Sequence, residues 1–196
     1  DRGGGLARST GVYAGQALDD PALQRPDLLG GRTPRSIEMG RLAEVLTDPA
    51  LDPPVAAMVV FNSNPAAIVP DRQRVLAGLA RDDLFTVVLE QRLTDTTDWA
   101  DVVLPATMQP EHLDVWGAYG HLYMQWNEPA IEPPGECLPN TEIFRRIARA
   151  LGLDHPRLQD SDEEIARQLL DTDAARARGL TVESLREHGW LRAAPF

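Results

Sequence analysis

Three short apolar runs, each closed at once by a polar loop, constrain this chain more than any other feature. Val55-Ala56-Ala57-Met58-Val59-Val60-Phe61 leads straight into Asn62-Ser63-Asn64-Pro65, and Leu84-Phe85-Thr86-Val87-Val88-Leu89 leads into Glu90-Gln91-Arg92. The shorter Val102-Val103-Leu104 is ended by Pro105. Continuous apolar runs of this length, bounded by turn residues, predict strands buried on both faces of a parallel sheet. Between the first two runs, Asp71 follows Pro70 and can cap a helix carrying Val75, Leu76 and Leu79. The alternation predicts an α/β fold: an open three-layer Rossmann-like, mostly parallel sheet flanked by helices, with right-handed crossovers.

The remaining segments fill in the organisation. Residues 1–35 are rich in Gly, Pro and Asp and lack hydrophobic periodicity, which predicts an irregular arm. A helix is expected from near Ser36, with Ile37, Leu42, Val45 and Leu46 on one face, stopped by Asp52-Pro53-Pro54. The segment from Gly117 to Trp126 alternates aromatic and small residues and predicts a strand or hairpin. Asn140 caps an amphipathic helix bearing Ile143, Phe144, Ile147, Ala148 and Leu151, closed by Gly152. Ser161 and Glu164 have capping-box spacing, and a last short helix begins near Thr181. These boundaries predict an arm over 1–35, an α/β domain over 36–155, and a helical extension over 156–196 that leads to a further C-terminal domain. The opening Asp1-Arg2-Gly3-Gly4-Gly5, without Met, reads as a segment of something longer.

Composition excludes several classes of function. The net charge of -11 repels a phosphate backbone, so nucleic acid is not an expected partner. Every basic residue is Arg, so the chain offers no lysine to a phosphate. The single cysteine, Cys137, rules out an intrachain disulfide and any iron–sulfur or zinc site built from this chain's cysteines. Acidic or Arg residues interrupt every apolar run before it reaches membrane-span length. The lack of disulfides favours the cytoplasm, with the periplasm as the alternative should an export signal precede the chain.

In open α/β sheets, ligands bind beyond the carboxyl ends of the strands. Three polar loops stand at such ends here: Asn62 to Pro65, Glu90 to Thr97, and Pro105 through Thr107 to Glu111 and His112. They offer amides, hydroxyls and a carboxylate. A carboxylate such as Glu90 can accept two hydrogen bonds from the amino and imino edge of guanine, while Thr and Asn suit ribose or phosphate oxygens. Turn-making roles compete with these. Asn62, Asn64 and Pro65 suit an Asx-type turn, the Thr94 to Thr97 run suits a helix cap, and Asp101 suits a turn before its strand. Glu111, His112 and Asp114 lack the spacing of helical metal ligands. The four tryptophans (Trp99, Trp116, Trp126 and Trp190) read as core anchors.

Several motifs, in order and spacing, resemble the molybdopterin oxidoreductases related to dimethyl sulfoxide reductase, formate dehydrogenase and nitrate reductase. They are Phe61-Asn62-Ser63-Asn64-Pro65 with Pro70-Asp71; Val87 to Glu90; Leu93-Thr94-Asp95-Thr96-Thr97; Ala100 to Thr107 with Glu111; and Pro133-Pro134-Gly135-Glu136 followed by Asn140 to Phe144. The resemblance is firm over 36–153. It implies a segment that holds the guanosine end of one of the two molybdopterin guanine dinucleotides such enzymes place around one molybdenum or tungsten. Asn62, Ser63, Asn64 and Pro65 would lie along the pyrophosphate and ribose. Glu90, where the family usually has Asp, would read guanine, with Thr94 and Thr96 lining the same pocket. His112 stands where some relatives have Lys, and Asn140 where some have Asp.

The resemblance also implies what lies elsewhere: an upstream iron–sulfur cluster, a metal-ligating residue, the remaining domains of the same enzyme, an electron-transfer subunit and a small-molecule substrate. No catalytic and no metal-ligating residue is assigned to this chain, so the segment alone is expected to be inactive. Two other functions compete: a non-catalytic structural or electron-transfer subunit that keeps the fold without the cofactor, and a free-standing guanine-nucleotide-binding module.

Overall fold

The computed structural model describes residue 18, residues 23–117 and residues 122–193. Most of the expected N-terminal arm and His121 lie outside the described residues. The chain forms two compact units: Thr33–Met108 with Pro133–Ile147, and Asp1–Arg32 with Gln109–Glu132 and Ala148–Phe196.

The first unit carries the parallel sheet, with β1 (Ala57–Phe61), β2 (Phe85–Glu90) and β3 (Val102–Pro105) in the order β1-β2-β3. Both pairings are parallel, and they place Phe61 opposite Leu89 and Leu89 opposite Leu104. The three carboxyl ends therefore lie side by side. Helices α1 (Leu42–Thr47), α2 (Pro65–Ile68) and α3 (Arg72–Leu79) supply Ala43, Leu46, Ala66, Val75 and Leu79 to one core. Helix α4 (Asn140–Ala150) supplies Ile143 to another, with Leu89 and Ala106.

Two expectations are corrected here. The first helix does not start near Ser36: Glu38 is extended, a 3₁₀ turn covers Met39–Arg41, and no side chain caps α1, so Ile37 stays exposed outside it. The strands are also not buried on both faces. Val60 and Val88 are covered, whereas Val59 is 48% exposed and Phe85 51%. On the face that packs against Ile143 of α4, Leu89 is buried and Val87 and Leu104 are half-buried.

Gly78 lets α1 and α3 approach closely. A Cβ built there would stand 2.4 Å from the Leu46 Cβ, an atom too near its own backbone to swing aside. Gly78→Ala is therefore expected to destabilise the unit by up to about 2 kcal/mol, because overpacking outweighs the gain of about 1 kcal/mol in helix propensity. Denaturant unfolding checks this, and an unchanged or higher midpoint would show that the helix pair yields freely.

The second unit carries an antiparallel sheet of β4 (Asp114–Trp116), β5 (Tyr123–Asn127) and β6 (Trp190–Arg192). Met124 and Trp126 on β5 point into a core with Ala166, Leu170, Ala175, Leu180, Val182 and Leu185. Helices α5 (Asp162–Leu169), α6 (Asp173–Arg176) and α7 (Val182–His188) carry four of these residues. The Ser161–Glu164 capping box forms as expected, and Thr181 caps α7 in a reciprocal pair with Ser184. Strand β6 adds a strand to what reads in sequence as a purely helical end. Of the tryptophans, Trp126 is a core anchor, whereas Trp99 is partly exposed and Trp190, 60% exposed, packs edge-on against Tyr123.

A charge network binds this second unit. Arg186 lies 4.8 Å from the centre of the Trp126 ring and donates to Glu128 and Glu163, while Arg167 pairs with Glu163 and Glu183. The hydrogen bond from Arg186 holds the Glu163 carboxyl below its ordinary range, and that from Arg167 does the same for Glu183. Depressed carboxylate pKa values mean that the unfolded chain takes up protons first as pH falls. The contribution is therefore whole above the ordinary glutamate value and is lost on acidification through the lower folded values. The unfolding temperature is expected to fall in that acidic window, less steeply in Arg167→Gln, and equal slopes in both proteins would show that the network is inert.

Candidate functional site

The site grows from the backbone at the end of β1. Asn62 adopts a left-handed conformation at φ 52°, one that Asn tolerates better than other residues bearing a Cβ. The chain reverses there, and buried Pro65 begins α2, where the fixed φ and missing N–H of proline fit the first helical position. The carbonyl of Asn64 accepts from Ala67 and Ile68 at 3.0 and 3.1 Å.

The Asn64 side chain ties this turn to the loop after β2. Its Oδ1 accepts from the Thr96 N–H at 3.2 Å and from the Thr96 hydroxyl at 2.7 Å. The same hydroxyl accepts from the Ala66 N–H at 3.1 Å. Thr96 is 0% exposed, so its hydroxyl is spent inside the protein. Within the same loop, the Thr97 hydroxyl accepts from the Thr94 N–H and donates to the Thr94 carbonyl. One cation adds to these ties: Arg72 Nε donates to the Ala66 carbonyl at 3.0 Å, and Arg72 Nη2 to Asp95 Oδ1 at 3.1 Å.

Between the strand ends lies a cavity of about 280 Å³, walled by Asn62, Ser63 and Asn64 on one side and Glu90 and Gln91 on the other, with Ala106 behind. Glu90 Oε1 accepts from the Gln91 N–H at 2.8 Å, and Gln91 Nε2 donates to the Thr107 carbonyl at 3.1 Å. Asn140, at the start of α4, donates from Nδ2 to Asn62 Oδ1 at 3.0 Å. Three buried oxygens in this unit have no hydrogen-bond partner: Thr86 Oγ1, Thr94 Oγ1 and Asn140 Oδ1. Buried polar atoms are satisfied in the great majority of proteins, and of these three only Asn140 belongs to a side chain bonded to a cavity-lining residue, Asn62.

The structure thus gathers Asn62, Ser63, Asn64 and Glu90 around one cavity, with Asn140 bonded to its rim. Pro65 and Thr96 are buried behind it. His112 belongs to the second unit, where its ring Nε2 lies 3.9 Å from Asp114 Oδ2 and its carbonyl accepts from Asn127. Asp101 takes the turn role, accepting from the Thr86 N–H at 2.6 Å. Sequence reasoning missed Gln91, Ala106 and the Arg72–Asp95 pair. Gln91 was signalled by its place after the last strand residue, but nothing in the sequence marks Arg72 as a partner of Asp95. Among the described residues, no three His, Cys, Asp or Glu side chains could hold a metal ion, and no helix is long and apolar enough to cross a membrane.

Comparison with known proteins bears on this geometry. Residues 41–150 match the sequence model of the molybdopterin oxidoreductase family. The chain is 42% identical to the probable oxidoreductase YoaE of Bacillus subtilis over 97% of its own length and 28% of that protein's. It is 31% identical to the periplasmic nitrate reductase of Desulfovibrio desulfuricans over 51% of this chain and 13% of that one. Among solved structures, acetylene hydratase from Pelobacter acetylenicus superposes with a TM-score of 0.64 at 22% identity, over 80% of this chain and 21% of that one. The chain thus spans under a third of the length of these relatives.

Proposed function

The chain belongs to the molybdopterin oxidoreductase family, and on that premise we propose that the carboxyl edge of its parallel sheet holds the guanosine end of a molybdopterin guanine dinucleotide. The observation that carries this reading is the cavity between the Asn62 turn and Glu90, with Asn140 bonded to its rim. The donor set suits the group. Glu90 can accept from the N–H edge of guanine, and Asn140, bonded to Asn62 on the rim, carries an amide suited to ribose hydroxyls. Asn62, Ser63 and Asn64, at the turn, are suited to run along the phosphates, with Pro65 holding the turn and Thr96 tying it from behind.

When bound, the pterin group would present a molybdenum or tungsten centre that exchanges electrons with a small substrate. This chain's residues would bind and orient its nucleotide end and keep water from it. The metal ligand, the substrate site, any iron–sulfur cluster and an electron-transfer partner would come from the rest of the enzyme. Calorimetric titration tests the reading with the full-length gene product made in a host that lacks the pterin. GDP is expected to bind and ADP to bind about 100-fold more weakly, because an unpaired Glu90 carboxylate penalises the wrong base. Equal affinity for the two, or none for GDP, would overturn it.

A further inference from the structure

We infer that Arg72 and Asp95 form a clamp that locks the loops after β1 and β2 into one unit and so positions the nucleotide end of the cofactor; this rests on the guanosine reading above. Neither residue lines the cavity. What they hold is Ala66, fully buried in α2, whose N–H is bound directly by the loop after β2 and whose carbonyl is bound to that loop through Arg72. Its N–H donates to the Thr96 hydroxyl, and its carbonyl accepts from Arg72, which is itself anchored on Asp95. A ligand lying across both strand ends binds only when both loops are in register, so its apparent affinity scales with the fraction of molecules in that state.

The pair is half exposed, with Arg72 at 56% and Asp95 at 50%, so it contributes little to overall stability. Its influence falls on the loops, and this separates the clamp from bare electrostatics. If charge alone mattered, neutralising Arg72 would weaken binding of an anion and neutralising Asp95 would tighten it. The clamp requires both changes to weaken binding.

The test uses the full-length gene product from a pterin-free host as wild type, Arg72→Gln, Asp95→Asn and the double variant. It reads hydrogen exchange at the Thr96 amide and titration with GDP. Faster exchange is expected in both single variants, with GDP affinity lower by about two- to fivefold, the scale of an exposed ion pair. The double variant should be no weaker than the worse single variant, and the unfolding midpoint should not move. Tighter GDP binding by Asp95→Asn, or Thr96 exchange unchanged in both single variants, would overturn the clamp. A wild type that fails to bind GDP would instead overturn the guanosine reading, and Thr96 exchange would then decide the clamp alone.

Discussion

Thr96→Val is expected to cost about 3 kcal/mol of local stability, although it changes the shape of the side chain very little. The hydroxyl it removes is fully buried and does two jobs, donating to Asn64 Oδ1 at 2.7 Å and accepting from the Ala66 N–H at 3.1 Å. Valine fills the space but leaves the Ala66 N–H buried without a partner and Asn64 Oδ1 with only the Thr96 N–H. Each stranded group costs about 1–3 kcal/mol, far more than the net gain from making an ordinary hydrogen bond. Hydrogen exchange at the Ala66 amide reads the loss directly, since that amide is released. Thr96→Ser keeps the oxygen and should retain most of the protection. If valine left Ala66 as protected as wild type does, the two loops would be held by packing and not by this hydroxyl.

The second large effect falls on ligand binding. Glu90→Ala is expected to weaken GDP binding about 100-fold and leave ADP nearly unchanged, because a carboxylate paired with two N–H donors contributes more than a neutral acceptor. Glu90 stands at the last position of β2 with Oε1 on the Gln91 N–H, so removing its side chain disturbs no core residue. Glu90→Gln separates charge from shape: it keeps the length but turns one acceptor into a donor, and should lose nearly as much as Ala. Equal losses for GDP and ADP would assign Glu90 to the sugar and not the base. No loss for either would remove it from the site.

Much of the sheet was legible because its signal is local. An apolar run ended by Asn62 or by Glu90 fixes both a strand and the place where a polar loop begins, and the parallel pairing follows from the helix between them. Asp101 could likewise be read as a turn residue from its place before β3. What stayed hidden depends on contacts distant in sequence. The exposure of Val59 and Phe85 depends on what packs over that face, which no apolar run encodes. Trp190 reads like a core anchor because residue type reports hydrophobicity and not which side of a three-residue strand faces inward. The start of α1 lies later than the apolar spacing predicts, because Ile37 shares a helical face with Leu42, Val45 and Leu46 in sequence whereas the backbone at Glu38 is extended. At the site, the residue types that suit a nucleotide were visible in the loops. Their division of labour was not: Thr96 looks like Thr94 in sequence, yet one hydroxyl is consumed by Asn64 and Ala66 while the other is buried without a partner.

If this chain grips the guanosine end of a metal-bearing pterin, the whole enzyme carries GMP in proportion to its metal. The full-length gene product, purified from its native host, is denatured and hydrolysed, and the released GMP is quantified against the molybdenum or tungsten in the same sample. GMP in at least equal amount to the metal is the expected result. Metal without GMP, or neither from cells that load the cofactor into other enzymes, would contradict the claim.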